Sequence, residues 1–118
     1  MYKFYNQHPL ERRLPDCVCR AISLATRTPY EDIRSLLEAN GFYSQCEDLN
    51  VECYAKLLNK LSKEEKEAEN KTVDDLCKEY PDDILVIRIE GHLTCSINGD
   101  CYDIWDCCNK TADRYWVM

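Results

Sequence analysis

The sequence has little of several features that define common classes of protein. Glycine and proline are scarce, at 3 and 4 residues in 118, and no internal repeat or low-complexity tract occurs. No apolar run reaches the roughly 18 residues of a membrane-spanning helix. The start, MYKFYN, lacks the basic and then apolar pattern of a signal peptide. We therefore expect an intracellular protein that does not act at a membrane.

Clusters of basic residues are also missing. The net charge is −7, and Arg12-Arg13 is the only pair of adjacent basic residues. Because contacts with phosphates need clustered Lys and Arg, we expect no nucleic-acid partner. The apolar content of 45% and the charged content of 31% are typical of an ordinary globular protein, and the length predicts a single domain over residues 1–118.

Cysteine, in contrast, is abundant. A secreted disulfide scaffold would need an export signal and usually an even number of cysteines, so we expect reduced, mostly buried thiols. The spacings Cys17-x-Cys19 and Cys107-Cys108 lack the Cys-x₂-Cys pattern of zinc ribbons, although Cys101, Cys107, Cys108 and His92 could still converge. We expect no metal and no other cofactor. The nine cysteines are Cys17, Cys19, Cys46, Cys53, Cys77, Cys95, Cys101, Cys107 and Cys108.

Helical patterns come first in the chain and strand patterns come last. Apolar spacing predicts helices from Cys17 to about Thr26, after Pro29, from near Asn50, and after a capping Thr72. The charged residues 62–71 extend the third helix or form a solvated loop. Strands are predicted at Ile84–Ile89, 92–97, 101–105 and 114–117, with Asn98-Gly99 as a hairpin turn. This order predicts an α+β domain in which an N-terminal central helix and further helices pack on a C-terminal antiparallel sheet.

The stretch around Cys17 offers a nucleophile. Cys17 follows Asp16 at the first position of a helix, where the dipole and the backbone N–H groups stabilise a thiolate. His92 begins a hairpin strand and is the candidate base. If Asn98-Gly99 is a two-residue turn, Asp103 lies one diagonal step from His92 on the same face of the hairpin. A three-residue loop would instead place Asp106 directly opposite His92.

These residue types fit acyl transfer. The imidazole accepts the thiol proton, the carboxylate orients the ring, and the thiolate attacks a carbonyl to give a thioester. The backbone N–H of Cys17 would contribute to an oxyanion hole. Asn6 and Gln7, in the arm before the helix, are the candidate side-chain donors that would complete it.

The chain resembles a known family. The segments DCVCRAI (16–22), Gly91-His92 and YDIWD (102–106) look like those of small papain-like proteins encoded by phages and prophages of Gram-positive bacteria. A more distant similarity is to the leader-peptide-cleaving peptidase domains of bacteriocin exporters. The sequence departs from papain at Cys17-Val18-Cys19-Arg20, where papain enzymes have Cys-Gly-Ser-Cys-Trp, and at Glu11, where they have glutamine.

The resemblance implies a papain-like fold and peptidase or isopeptidase chemistry on a peptide or protein substrate, inside a bacterial host cell. It maps Cys17 to the nucleophile and His92 to the base. It favours Asp103 over Asp106, since Asp103-Ile104-Trp105 resembles the papain Asn-Ser-Trp segment. The alternative is an inactive papain-like binding protein of phage origin, such as an inhibitor of a host defence system.

Overall fold

A six-stranded sheet lies at the centre of the structure, a computed structural model that describes residues 1–7, 9–10, 16–39 and 51–118, with the side chains of 51–53 excepted. Along the sheet the strands follow the order β1-β5-β4-β3-β6-β2. The elements of the described chain are β1 (Tyr2–Phe4), α1 (Cys17–Thr26), α2 (Tyr30–Ala39), α3 (Val51–Leu61), β2 (Glu64–Glu67), α4 (Val73–Glu79), β3 (Ile84–Ile89), β4 (His92–Ile97), β5 (Asp100–Asp103) and β6 (Ala112–Val117).

The α+β class is confirmed, and so are the four predicted helices and the four predicted C-terminal strands, to within a few residues. Thr72 caps α4 in a reciprocal box with Asp75, as its sequence position suggests. Among the described residues, none of the helices is long and apolar enough to cross a membrane. The predicted stop of α2 at Gly41 and the side chains of Cys46 and Cys53 lie outside the described residues.

The prediction of an antiparallel, C-terminal sheet was wrong in one respect, because the sheet is mixed. Residues Tyr2–Phe4, expected to be part of an extended arm that leads to the first helix, form β1 and pair in parallel with β5. A strand of three residues gives too little alternation to be recognised from the sequence. Its partner also lies almost the whole chain away, so only the tertiary structure reveals the pairing.

Residues 62–71 also differ from both alternatives that the sequence offered. Glu64–Glu67 form β2, an exposed edge strand antiparallel to β6. The charge that predicted solvation is retained there, since Arg114 donates to Glu65 across the two strands at 3.0 Å. Charged side chains on an edge strand discourage pairing with other chains, so a segment this polar is suited to an edge position.

The two faces of the sheet bury separate apolar clusters. On one face Val86, Leu93 and Trp116 pack with α1, α2 and α3. On the other face alternate residues of β3, namely Leu85, Ile87 and Ile89, pack with α4. Period-two alternation in a strand buried on both sides produces this division. Helix α1 therefore lies against the sheet with eight of its ten residues buried.

The β4–β5 hairpin has the register that the sequence predicted. Ile97 pairs with Asp100 across Asn98-Gly99, which is therefore a two-residue turn. Both turn residues have positive φ, 50° at Asn98 and 84° at Gly99, as a type I′ turn requires. This register places the first residue of β4 and the last residue of β5 at the same end of the sheet, where α1 also begins.

Candidate active site

His92 and Asp103 contact each other across the hairpin. The Nε2 atom of His92 lies 2.6 Å from Oδ2 of Asp103. The side chain of Asp103 is buried, at 3% exposure, and that of His92 is largely covered, at 10%. Asp106, the other candidate acid, is exposed, and its Oδ1 accepts the backbone N–H of Cys108 at 3.0 Å. The two-residue turn thus selects Asp103 as the partner of the imidazole.

Cys17 lies near the same imidazole. It is the first residue of α1 and is 5% exposed, and its thiol is among the groups that raise the pKa of His92. Because Nε2 is bonded to Asp103, Nδ1 is the nitrogen that would face the thiol. The residue before it, Asp16, makes no side-chain cap to the helix. The first backbone N–H groups of α1 therefore face no capping carboxylate.

The charge state of His92 follows from these contacts. Burial alone would lower the pKa of His92, but the hydrogen bonds with Asp103 and Cys17 raise it to about 9. The imidazolium form therefore predominates at neutral pH. The ring of Trp105 lies beside the imidazole, with the centroids 5.0 Å apart, and shields it from water on that side. A protonated imidazole next to a thiol is the arrangement that a thiolate–imidazolium pair requires.

Several donors surround the carboxylate of Asp103. Oδ1 accepts from Arg20 Nη1 at 3.2 Å and from the backbone N–H of Ile104 at 2.7 Å. Oδ2 faces His92 and also the thiol of Cys107, at 3.9 Å. Burial alone would raise the pKa of Asp103, but the hydrogen bond and charge of His92, with hydrogen bonds from Thr94 and the backbone of Ile104, together outweigh it. The pKa of this carboxyl therefore lies below its ordinary value. Asp103 is therefore an anion held in a fixed orientation.

The N-terminal strand fixes the backbone of the same residue. Tyr5 donates its backbone N–H to the carbonyl of Asp103 at 2.9 Å, and the hydroxyl of Tyr2 donates to that carbonyl at 3.1 Å. Phe4 is the register partner of Asp103 in the β1–β5 pair. The arm for which the sequence predicts no regular element thus holds the acid of the candidate site in position.

Arg20 is a residue of the candidate site that sequence reasoning did not name. As the charged exception on an apolar helix it was expected to reach a partner or the surface, and it reaches acidic partners while being only 7% exposed. Its Nε donates to Oδ1 of Asp16 at 2.6 Å, and Asp16 in turn accepts the hydroxyl of Tyr30 at 2.7 Å. A charged residue inside an apolar helix, four residues after an acid, is the signal that could have identified it.

A small pocket lies beside the thiol, with Cys17, Gln7, Tyr5 and Asp103 among its lining residues. Its volume of about 10 Å³ leaves room for roughly one water molecule. Oε1 of Gln7 is buried there without a hydrogen-bond partner. Of the two candidate oxyanion donors, Gln7 thus shares the pocket with the thiol, whereas Asn6 is not part of its lining.

The other described cysteines are free thiols, as expected, and all except the half-buried Cys108 are buried. Burial raises the pKa of Cys19 to about 12, and its thiol donates to the carbonyl of Tyr30. The hydrogen bond with Cys107, and then burial, raise the pKa of Cys101. Such thiols are packing residues rather than nucleophiles.

The predicted alternative of converging metal ligands is met in part. One ligand atom each from His92, Asp103 and Cys107 lie within 4.8 Å of one another. Both oxygens of Asp103 already accept hydrogen bonds, and the guanidinium of Arg20 beside them opposes the binding of a cation. The donors therefore fit a hydrogen-bonded carboxylate better than a metal centre.

Comparison with protein-family models, with curated proteins and with solved structures gave no match. The function has to be argued from the site itself.

Proposed function

We propose that the protein is a small papain-like cysteine hydrolase, a peptidase or isopeptidase that uses Cys17, His92 and Asp103. The observation that supports it best is the 2.6 Å contact between the imidazole of His92 and the carboxylate of Asp103, close to a cysteine at the N-terminus of a buried helix. The pKa of His92 is raised to about 9 by its neighbours, and groups with pKa values shifted in this way concentrate at functional sites.

In this mechanism the thiol proton resides on His92 and the sulfur of Cys17 is the nucleophile. The thiolate attacks the carbonyl carbon, and a C–S bond forms as the oxygen becomes an oxyanion. The imidazolium then gives its proton to the leaving nitrogen, the C–N bond breaks, and a thioester remains. Water, deprotonated by the neutral imidazole, attacks the thioester, the C–S bond breaks, and the acid product leaves, so that the thiolate–imidazolium pair is restored.

Asp103 has two tasks in this scheme. Its bond to Nε2 keeps the ring oriented so that Nδ1 faces the thiol, and its negative charge stabilises the imidazolium. The oxyanion would be bound by the backbone N–H of Cys17, which no capping side chain occupies, and by the amide N–H of Gln7.

One observation favours the alternative, an inactive papain-like binding protein of phage origin. Cys17 is 5% exposed, and the pocket beside it holds about one water, so the described residues leave little room for a substrate carbonyl at the sulfur. In a binding protein the same residues would remain as scaffold, and the acidic surface would contact a basic partner, such as part of a host defence system.

The test of the hydrolase is acyl-enzyme formation with p-nitrophenyl acetate, followed by intact-mass and peptide mass spectrometry. We expect an added acetyl group on Cys17 alone, with release of p-nitrophenol and slow deacylation. Cys19→Ser is the matched control, because it changes a neighbouring buried thiol on the same helix, and it is expected to retain the adduct.

Hydrolysis of fluorogenic peptides and of isopeptide-linked substrates then follows for the substrate class. Cys17→Ser and His92→Gln are each expected to abolish both acylation and turnover. If native protein acquires no acetyl group on Cys17, or acquires it equally on several cysteines, the hydrolase is rejected and the binding protein takes its place.

A further inference from the structure

A buried arginine lies directly behind the candidate triad, and the mechanism above does not use it. Arg20 follows Cys17 by about one turn of α1, so both side chains leave the same side of the helix. It makes two ion pairs, with Asp16 on its own helix and with Asp103 on β5, and the exposure of all three side chains is below 10%.

We propose that Arg20 is a positioning residue: its guanidinium ties the N-terminus of α1 to Asp103, so that the thiol of Cys17 stays opposed to the imidazole and the charges of the site stay balanced. The catalytic consequence rests on the proposed function, whereas the effect on the imidazole does not. No other described contact between ionisable side chains joins α1 to β5.

Two contacts make an arginine necessary at this place. Nε reaches Asp16 at 2.6 Å and Nη1 reaches Asp103 at 3.2 Å, from one planar group. An ammonium group on a flexible stem presents a single charge point and cannot match two carboxylates at fixed, separate positions. A lysine would pair with Asp16, four residues earlier on the helix, and release Asp103.

The charges in the site alternate along this chain of contacts. The ionisable groups that act directly on His92 are Asp103 from β5 and Cys17 from the helix. Arg20 and the thiol of Cys107 contact Asp103, and Asp16 contacts Arg20. The guanidinium offsets part of the negative charge that Asp103 presents to the imidazole. Asp16 in turn offsets part of the guanidinium charge.

This alternation predicts opposite effects of two substitutions. Arg20→Lys moves positive charge away from Asp103, so the imidazolium is better stabilised and His92 titrates at higher pH. Asp16→Asn leaves the guanidinium uncompensated, so the imidazolium is disfavoured and His92 titrates at lower pH. If these two side chains only supported the structure, the two substitutions would not shift the His92 midpoint in opposite directions.

The experiment is an NMR titration of the histidine Hε1 signals in the native protein and in each variant. The chain has only two histidines, and His8→Gln assigns the signal of His92. We expect upward and downward shifts of the His92 midpoint by about half a pH unit or more. Arg34→Lys is the matched control, since Arg34 pairs with Glu38 in the open on α2, and it leaves the midpoint unchanged.

Iodoacetamide labelling of Cys17 in the same samples reports the positioning. It is expected to slow by about tenfold in Arg20→Lys, because the thiol and imidazole are no longer held together. If Arg20→Lys and Asp16→Asn both fold and the His92 midpoint in each stays within about 0.2 pH unit of the native value, the proposal is overturned. Should Arg20→Lys fail to fold, Asp16→Asn decides alone, and an unchanged midpoint there is sufficient to reject it.

The proposed function fails separately. If native Cys17 is neither acylated nor fast to label, but the two His92 shifts occur, the hydrolase is rejected and the charge-balancing role of Arg20 remains. If Cys17 is acylated but the two His92 shifts do not occur, the hydrolase stands and the charge-balancing role of Arg20 is rejected.

Discussion

The carboxylate of Asp103 is shared between two cationic side chains, with His92 at 2.6 Å on one oxygen and Arg20 at 3.2 Å on the other. The hairpin supplies the first contact and the central helix supplies the second. One buried anion thus links the candidate base on the sheet to the helix that begins with the candidate nucleophile.

The two candidate acids are separated by one matched pair of substitutions. Asp103→Asn removes the charge that stabilises the imidazolium, so the His92 midpoint and the rate of acylation of Cys17 both fall, the rate by about 10²-fold or more. Asp106→Asn changes an exposed residue that accepts only a backbone N–H nearby, and it leaves both quantities as in the native protein. Equal effects of the two substitutions would contradict the assignment of Asp103.

Cysteine reactivity is expected to be selective. Iodoacetamide labelling across pH 5 to 9 should modify Cys17 fast well below pH 8, because the adjacent imidazolium stabilises its thiolate. Cys19 and Cys101 are buried with raised pKa values and should stay unmodified until the protein unfolds. His92→Ala should abolish the fast phase. Peptide mass spectrometry measures the labelling rate at each cysteine. If Cys17 is labelled no faster than the other cysteines, its thiol is not activated.

Stability is expected to depend on pH through His92. In Cys17→Ala, which removes the thiol whose ionisation would offset the imidazole proton, we expect Asp103 to keep the pKa of His92 above the ordinary 6.5, because its hydrogen bond and its charge both oppose the effect of burial. The contribution of His92 to the free energy of unfolding is then fully present below pH 6.5 and lost as the pH rises through the folded pKa. We expect a loss of about 1–2 kcal/mol by pH 8.5 in urea unfolding.

The control for this pH dependence is the double variant Cys17→Ala/His92→Gln. It has the same alanine at position 17 but no imidazole, so its free energy of unfolding should not change with pH between 6.5 and 8.5. A single variant whose stability also stays flat would show that the proton on His92 is not held by Asp103.

Gln7 and Asn6 are distinguished by their effect on turnover. Gln7→Leu keeps a similar volume in the pocket but removes an N–H donor, so kcat for an ester or peptide substrate should fall by about tenfold or more with little change in KM. Asn6→Leu, one residue earlier and outside the lining of the pocket, should have the smaller effect. The reverse order of effects would assign the oxyanion donor to Asn6.

Local chemistry determined much of this protein from the sequence alone. Asn98-Gly99 favours a two-residue turn, and side chains alternate along strands, so these two rules suffice to predict the contact between His92 and Asp103. The start of α1 at Cys17 and the capped start of α4 after Thr72 likewise follow from residues near each boundary.

The tertiary structure decided what depends on residues far apart in the chain. β1 forms only because β5 offers it an edge, and β2 forms only because β6 does, so a short or charged segment gives no signal of its own. Arg20 could be recognised as unusual on an apolar helix, but its partner Asp103 is 83 residues away. Burial at the helix–sheet junction determines which carboxylate it reaches, because a guanidinium removed from water is stable only where acidic groups surround it.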